Sequence, residues 1–218
     1  MKLRTLHNDL TVSRVCLGTM TFGGQTDRAA AARMLDIAFD RGVNFLDTAN
    51  VYTAGESERI LGHLLGARRM QLILATKIGM KTGDELPGLS RGAILAAVEN
   101  SLRRLATDYV DLCYLHLPDD SVPLEESLAA MDTLVRQGKV RHVASSNFAS
   151  WQVCKMHWSA AQRGFAPARV AQPMYNLLAR RIEDEFLPAC RDLCVSTVVY
   201  NPLAGGLLTG KQLSLIHI

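Results

Sequence analysis

Short apolar runs recur about every 30 residues along this chain. They are Val15–Gly18, Val43–Asp47, Leu72–Lys77, Val110–His116, Val140–Ser146, Val170–Gln172 and Thr197–Tyr200. Runs this short and this uniformly apolar suit strands buried on both faces, the condition of a parallel sheet. Helix-period stripes lie between them. Ala31, Met34, Leu35, Ala38 and Phe39 share one face ahead of Gly42. Ile94, Leu95, Val98, Leu102 and Leu105 share another behind a Ser90 cap, and Leu124, Leu128, Met131, Leu134 and Val135 precede a stop at Gly138. Strand and helix alternating in this way make right-handed βαβ units. The opening LRTLHNDLTVSRV reads instead as a β-hairpin turning at Asn8-Asp9, a lid for the floor of the fold.

An open doubly wound sheet and a closed barrel both satisfy that alternation, and two features separate them. The first strand turn reads LGTMTFGG and lacks the GxGxxG of dinucleotide-binding open sheets. Nearly every strand also finishes on a polar residue: Asp47, Lys77, His116, Ser146-Asn147, Gln172 and Tyr200. At about 4.8 Å per strand, an open sheet would string these along a line tens of ångströms long. A barrel gathers them at one mouth, where such folds keep their active sites. The expected fold is therefore α/β, a parallel (β/α)8 TIM barrel with about seven of its eight strands countable, preceded by the β-hairpin.

Composition narrows the function classes. The net charge is +3, and the pairs Arg68-Arg69, Arg103-Arg104 and Arg180-Arg181 are scattered among acids, as on solvated helices. No nucleic-acid partner is expected from that pattern. The start MKLRTLHNDL lacks the apolar core of a secretory signal, and no run reaches the ~18–20 apolar residues of a membrane span. Five cysteines form no CxxC pair, and buried, reduced thiols in a cytoplasmic protein are the expectation. The six histidines show no metal-binding spacing, so no metal is expected.

The strand-end residues Asp47, Lys77 and His116, with Tyr52 in the loop after Asp47, form a chemically coherent set. A phenol donates a proton at neutral pH, and a nearby ammonium pulls its pKa down. A lysine in a barrel mouth needs a counter-charge, which Asp47 offers. A neutral imidazole can orient a carbonyl. This is equipment for giving a proton to an oxygen while a hydride reaches its carbon. Each residue alone has an ordinary structural explanation, but four at one end of three consecutive strands point to chemistry.

Over nearly its whole length the chain resembles the aldo-keto reductases. GVNFLDTANVYTAGESERILG is similar to that family's first signature, and ILATKIG and VDLCYLHLPD match the segments carrying its lysine and histidine. The resemblance implies that Tyr52 is the general acid, Lys77 lowers its pKa, Asp47 pairs with Lys77, and His116 orients the carbonyl. It also implies NADPH (NADP), less often NAD, bound extended without a Rossmann domain. VASSNF resembles the family's GxSNF, implying that Ser146 and Asn147 hold the nicotinamide carboxamide, with Gln172 of AQPMYNLL as third partner. YNPLAGGLLTGK resembles the segment whose aromatic, here Tyr200, stacks beneath the nicotinamide. Its loop would wrap the pyrophosphate through Asn201, Leu203 and Gly205, with Lys211 as a nearby positive charge. Thr19 and Met20 would touch the nicotinamide ribose, and Asp47 the same end of the cofactor. Two positions depart from the family pattern: Ala144 stands where glycine is usual and Asn201 where serine is usual.

The implied activity is reversible, NAD(P)H-dependent reduction of aldehydes or ketones, with a small-molecule carbonyl as partner and no membrane. Voltage-gated potassium channel β subunits share the fold and the motifs LSRGAIL and PLEESLAAM, so a non-catalytic or regulatory NADP-binding subunit is one alternative, and a fragment inactive by itself is another. His116 favours the enzyme, because the channel subunits carry Asn there. Trp151 and Trp158, at helical spacing, are expected to pack within a helix rather than cage a substrate. Finally, LSLIHI at 213–218 reads as a translated transposase end from DNA library preparation. The expectation is a barrel domain over 1–212, an incomplete member of its family, followed by an adapter scar.

Overall fold

The computed structural model describes residues 1–6 and 10–211. The hairpin turn at Asn8-Asp9 and the segment 213–218 lie outside the described residues. Strands β1 (Leu3–Leu6) and β2 (Leu10–Ser13) pair antiparallel, Leu3 opposite Ser13 and Leu6 opposite Leu10. The chain then alternates through β3 (Leu17–Gly18), α1 (Arg28–Asp40), β4 (Phe45–Asp47), α2 (Glu56–Leu65), β5 (Ile73–Ile78) and α3 (Arg91–Leu105). It continues as β6 (Val110–Leu115), α4 (Leu124–Arg136), β7 (Val140–Ser146), α5 (Ser150–Arg163), β8 (Ala168–Gln172), α6 (Phe186–Asp192) and β9 (Ser196–Thr197).

Strands β3 to β9 form one seven-stranded parallel sheet in chain order, an incomplete (β/α)8 barrel. One contact shows how strongly it curls. β4 and β8 are four strands apart, which is about 19 Å in a flat sheet. Yet the Gln172 amide at the end of β8 donates to Asp47 at the end of β4 over 2.8 Å.

Strand periodicity sorts the side chains into two layers. Phe45, Ala75, Leu112, Tyr114, Ala144 and Val170 face the lumen and pack with Leu6, Leu10 and Val12 of the hairpin. Ser13 and Asn44 exchange hydrogen bonds at the start of β4, which fixes the hairpin as the floor. The alternate residues Leu46, Leu74, Ile78, Cys113, Leu115, Val143 and Ala171 face outward into the helix layer. Two positions after the lumen-facing residues come Asp47, Lys77, Ser146 and Gln172, and His116 follows Tyr114 in the same way. The polar ring is thus the top layer of one inward face.

The helix signals behave as their chemistry requires. Ser90 caps α3, its hydroxyl accepting from Ala93 N, and Gly42 and Gly138 take left-handed φ of 75° and 72° after their helices. Not every assigned face is buried. In α1, Ala31 and Leu35 are buried but Met34 is exposed. Trp151 and Trp158 are 62% and 63% exposed, correcting the expectation that they pack. Of the cysteines, all five are free; Cys113 and Cys190 are buried while Cys154 and Cys194 are exposed, against the expectation of uniformly buried thiols.

Helix α3 ends on an alanine where glycine would be cheaper. Ala106 sits at φ 50°, ψ 47°, a left-handed conformation that costs an L-residue about 1–2 kcal/mol. Ala106→Gly is expected to stabilise the chain by about 0.5–1 kcal/mol after the entropy glycine adds to the unfolded state. Thermal or urea unfolding of the two proteins measures it.

Candidate active site

The end of β4 delivers Asp47, and the chain then climbs through a tight loop to Tyr52. This loop is unusual: Thr53 and Ala54 both take left-handed φ, 50° and 53°, before Gly55 at 84°. Successive left-handed L-residues are strained and persist only where surrounding contacts hold them. The Thr53 hydroxyl donates to the Phe22 carbonyl at 2.8 Å, and the Asn50 N–H donates to the Lys77 carbonyl at 3.0 Å.

Lys77, from β5, is the hub. Its side chain is 1% exposed and its amine donates to Asp47 Oδ1, to the Thr48 carbonyl at 3.0 Å and to the Tyr52 hydroxyl at 3.0 Å. Three donors meet three acceptors, so the ammonium is fully satisfied. The ring of His116 stands edge-on to that of Tyr52 with centroids 6.2 Å apart. All four residues proposed from sequence therefore converge at one rim.

Each ionisation state follows from this placement. Burial works against the charge on Lys77, but Asp47 and Tyr52 outweigh it, and the amine is raised above its ordinary value and stays cationic. Tyr52 is pushed above its ordinary value near 10, first by burial, with Lys77 pulling it back and Asp47 adding to the rise. Lys77 does lower the phenol, as expected, yet burial wins, so Tyr52 holds its proton at neutral pH. His116 is lowered to about 4, by burial and then by the Lys77 charge, and is neutral. Its Nδ1 is buried and has no hydrogen-bond partner among the described residues. An orphaned acceptor costs less than an orphaned N–H, which assigns the proton to Nε2.

The low value of His116 has a consequence for stability. An unfolded imidazole takes up its proton near 6.5 and the folded one only near 4. Between those values the unfolded chain binds more protons, so stability falls as pH drops through the window. The full effect is about 3 kcal/mol at most, and His116→Asn should remove that part of the acid sensitivity. Urea midpoints at pH 7 and 4.5 for both proteins measure it; His157, also lowered, contributes equally to both.

The residues expected to hold a cofactor fall into two groups. Ser146, Asn147, Gln172 and Tyr200 join on the same rim as the four above. Ser146 Oγ donates to the Gln172 carbonyl at 3.0 Å, and Asn147 Nδ2 donates to the His116 carbonyl at 3.0 Å and to Ser146 Oγ at 3.1 Å. The Tyr200 hydroxyl donates to Asn147 Oδ1 at 2.8 Å, leaving a ring 37% exposed. Asn147 holds φ 62°, a left-handed position that asparagine tolerates. Tyr200 itself lies three residues beyond the end of β9 and bridges to Met174, rather than ending the strand. Asn201, Leu203, Gly205 and Lys211 lie in the exposed segment that follows. There the Ala204, Gly205 and Gly206 N–H groups are bonded to the Asn201 carbonyl, Asn201 Oδ1 and the Leu203 carbonyl.

Met20 is 65% exposed beside the mouth, whereas Thr19 is wholly buried. The Thr19 hydroxyl joins Ser57 at 2.8 Å, and Ser57 joins Thr48 at 2.9 Å, tying β3 and α2 beneath the Tyr52 loop. Sequence reasoning did not single out Thr48 or Ser57; a serine inside a helical signature carries no signal of such a junction. Trp151 lines a separate cavity of about 460 Å³ with Pro118, Phe148 and Lys155. Among the described residues no cluster of His, Cys, Asp and Glu could hold a metal, and no helix is long and apolar enough to cross a membrane.

Comparison with known proteins bears on the same geometry. The model of the Aldo/keto reductase family matches residues 14–218. The chain is 44% identical over 217 residues to the uncharacterized oxidoreductase YrpG of Bacillus subtilis, covering 94% of this chain and 67% of that protein. It is 40% identical over 198 residues to aflatoxin B1 aldehyde reductase member 2 of Rattus norvegicus, covering 89% and 53%. It is 39% identical over 211 residues to a probable voltage-gated potassium channel subunit beta of Arabidopsis thaliana, covering 93% and 63%. The chain thus spans between about half and two thirds of the length of these relatives. A curled parallel sheet, a lysine-centred polar ring at its mouth and a family match over almost every residue agree: the chain belongs to the aldo/keto reductase family.

Proposed function

We propose that this chain carries the catalytic centre of a carbonyl reductase, converting aldehydes or ketones to alcohols, reversibly, with NADPH as the reductant and NADH as the less favoured one. The observation that carries the reading is the Lys77 amine, paired with Asp47 and 3.0 Å from the Tyr52 hydroxyl. A reduced nicotinamide, when bound, supplies hydride to the carbonyl carbon. Tyr52 gives its proton to the carbonyl oxygen, and the phenolate so formed is stabilised by the adjacent ammonium. His116, neutral and protonated at Nε2, donates a hydrogen bond that orients the carbonyl. Solvent restores the phenolic proton.

The residues present suit a flat amide-bearing ring. Tyr200 offers an exposed aromatic face tied to the Asn147 amide, and Ser146 and Gln172 complete a polar wall beside Asp47. The pyrophosphate would lie along Asn201, Leu203, Gly205 and Lys211, its oxygens replacing the internal acceptors of donors such as the Gly205 N–H, with Thr19 and Met20 flanking the ribose.

A second reading, a regulatory nucleotide-binding subunit, draws on the likeness to the plant protein named as a channel subunit. One assay separates them. Loss of NADPH absorbance with a panel of aldehydes, abolished in Tyr52→Phe, supports the reductase. NADPH binding with no turnover of any carbonyl supports the subunit and overturns the reductase.

A further inference from the structure

A second buried charged system lies directly behind the first, on the helix side of the sheet. Thr76, the outward-facing neighbour of Lys77, donates from its hydroxyl to Glu58 Oε1 at 2.5 Å. Glu58, on α2, is fully buried. Its other oxygen accepts from Arg104 Nε of α3 at 2.6 Å, and Arg104 Nη1 donates to Glu85 Oε1 at 2.5 Å. Glu85 Oε2 in turn faces the Asn50 amide at 3.4 Å. The chain Thr76–Glu58–Arg104–Glu85–Asn50 therefore starts one residue before Lys77 and ends two residues before Tyr52.

Two further contacts tie Arg104 to the Tyr52 loop and to the helix that follows it. Gly55, which closes the left-handed run, leaves room for the arginine: a Cβ there would lie 2.8 Å from Arg104 Cδ. About two turns along α2, a Cβ on Gly62 would lie 2.3 Å from the Arg104 carbonyl, so the helices touch backbone to backbone at this residue. Two carboxylates and a guanidinium in a buried seam are a poor means of gaining stability, because well-packed apolar groups do as well or better. What they supply is direction. A planar guanidinium holds two carboxylates at fixed angles, which a lysine cannot do.

We propose that Arg104, together with Glu58 and Glu85, is a positioning device for the Tyr52–Lys77 pair. It clamps the loop carrying the phenol and the strand end carrying the amine to each other from outside the barrel. The strained Thr53–Ala54 turn needs such a clamp. None of the three touches the reacting atoms, and the kinetic part of the proposal rests on the reductase reading given above.

The test compares Arg104→Met, Arg104→Lys and Glu85→Gln with a surface control, Arg68→Met, which removes the exposed pair to Asp36. The first readout needs no activity: backbone hydrogen–deuterium exchange by mass spectrometry. The expected result is faster exchange confined to residues 50–55 in Arg104→Met and Glu85→Gln, and none in the control. The second readout is turnover. kcat is expected to fall about 10- to 100-fold with KM changed less than about twofold, as for a misplacement near 1 Å, and Arg104→Lys recovers only part of it. Exchange over 50–55 that is unchanged in a folded Arg104→Met overturns the proposal. If that variant does not fold, Glu85→Gln, at the partly exposed end of the seam, decides by the same criterion. A wild-type chain with no carbonyl turnover would sink the reductase reading alone, and the exchange result would still judge the clamp.

Discussion

Replacing Lys77 with methionine is expected to cost about 3–5 kcal/mol of stability, the range seen when one partner of a buried ion pair is removed. The amine is 1% exposed and satisfies Asp47, the Thr48 carbonyl and the Tyr52 hydroxyl together. Without it the Asp47 carboxylate keeps the Gln172 amide as a partner, but, largely desolvated, it is left without its counter-charge. For a chain of this size the melting temperature should fall by about 6–20 °C. Combining Lys77→Met with Asp47→Asn removes the orphaned charge and should return part of the loss. A double-mutant cycle by urea unfolding measures both. Equal destabilisation in the single and double variants would mean that the ion pair is not what the site is built on.

Tyr52→Phe should leave the fold intact and lower kcat for carbonyl reduction by about 10²–10⁴-fold, the usual worth of a positioned general acid. Among the described residues the hydroxyl makes one hydrogen bond, accepting from Lys77, and the ring makes the edge contact to His116. Phenylalanine keeps the ring contact and loses the proton together with one of the three acceptors of the Lys77 amine, which still holds Asp47 and the Thr48 carbonyl. Because burial holds the phenol above its ordinary value, the wild-type rate should stay level through neutral pH and decline only on the alkaline side, where the proton is lost. On the acid side, His116 becomes charged only near pH 4, so the rate should hold until that point. A steady-state pH profile with one good aldehyde checks both limbs.

Much of this site was legible in the sequence because a strand has a period of two. Asp47 follows Phe45, Lys77 follows Ala75, Ser146 follows Ala144 and Gln172 follows Val170, each pair on one inward face. Apolar runs ending on a polar residue therefore announced both the barrel and its rim. What lay between strands was harder to read. Glu58 meets Thr76 18 residues away and Arg104 46 residues away, and neither pairing leaves a local pattern. The seven-residue spacing of Trp151 and Trp158 suits one face of α5, but spacing alone does not say whether that face is covered. The run Thr197–Tyr200 suggests a strand ending on Tyr200, yet β9 stops at Thr197 and the tyrosine reaches the rim through the Asn147 amide. The left-handed run at Thr53–Ala54 carried no signal, since threonine and alanine ordinarily avoid that conformation.

A crystal structure of the chain grown with oxidised nicotinamide cofactor bears most directly on the reading as a whole. The expected result places the Tyr52 hydroxyl within hydrogen-bond reach of the Lys77 amine, His116 beside it, and the nicotinamide ring against Tyr200 facing them. A phenol remote from both the amine and the imidazole, or a cofactor bound away from this rim, would contradict it.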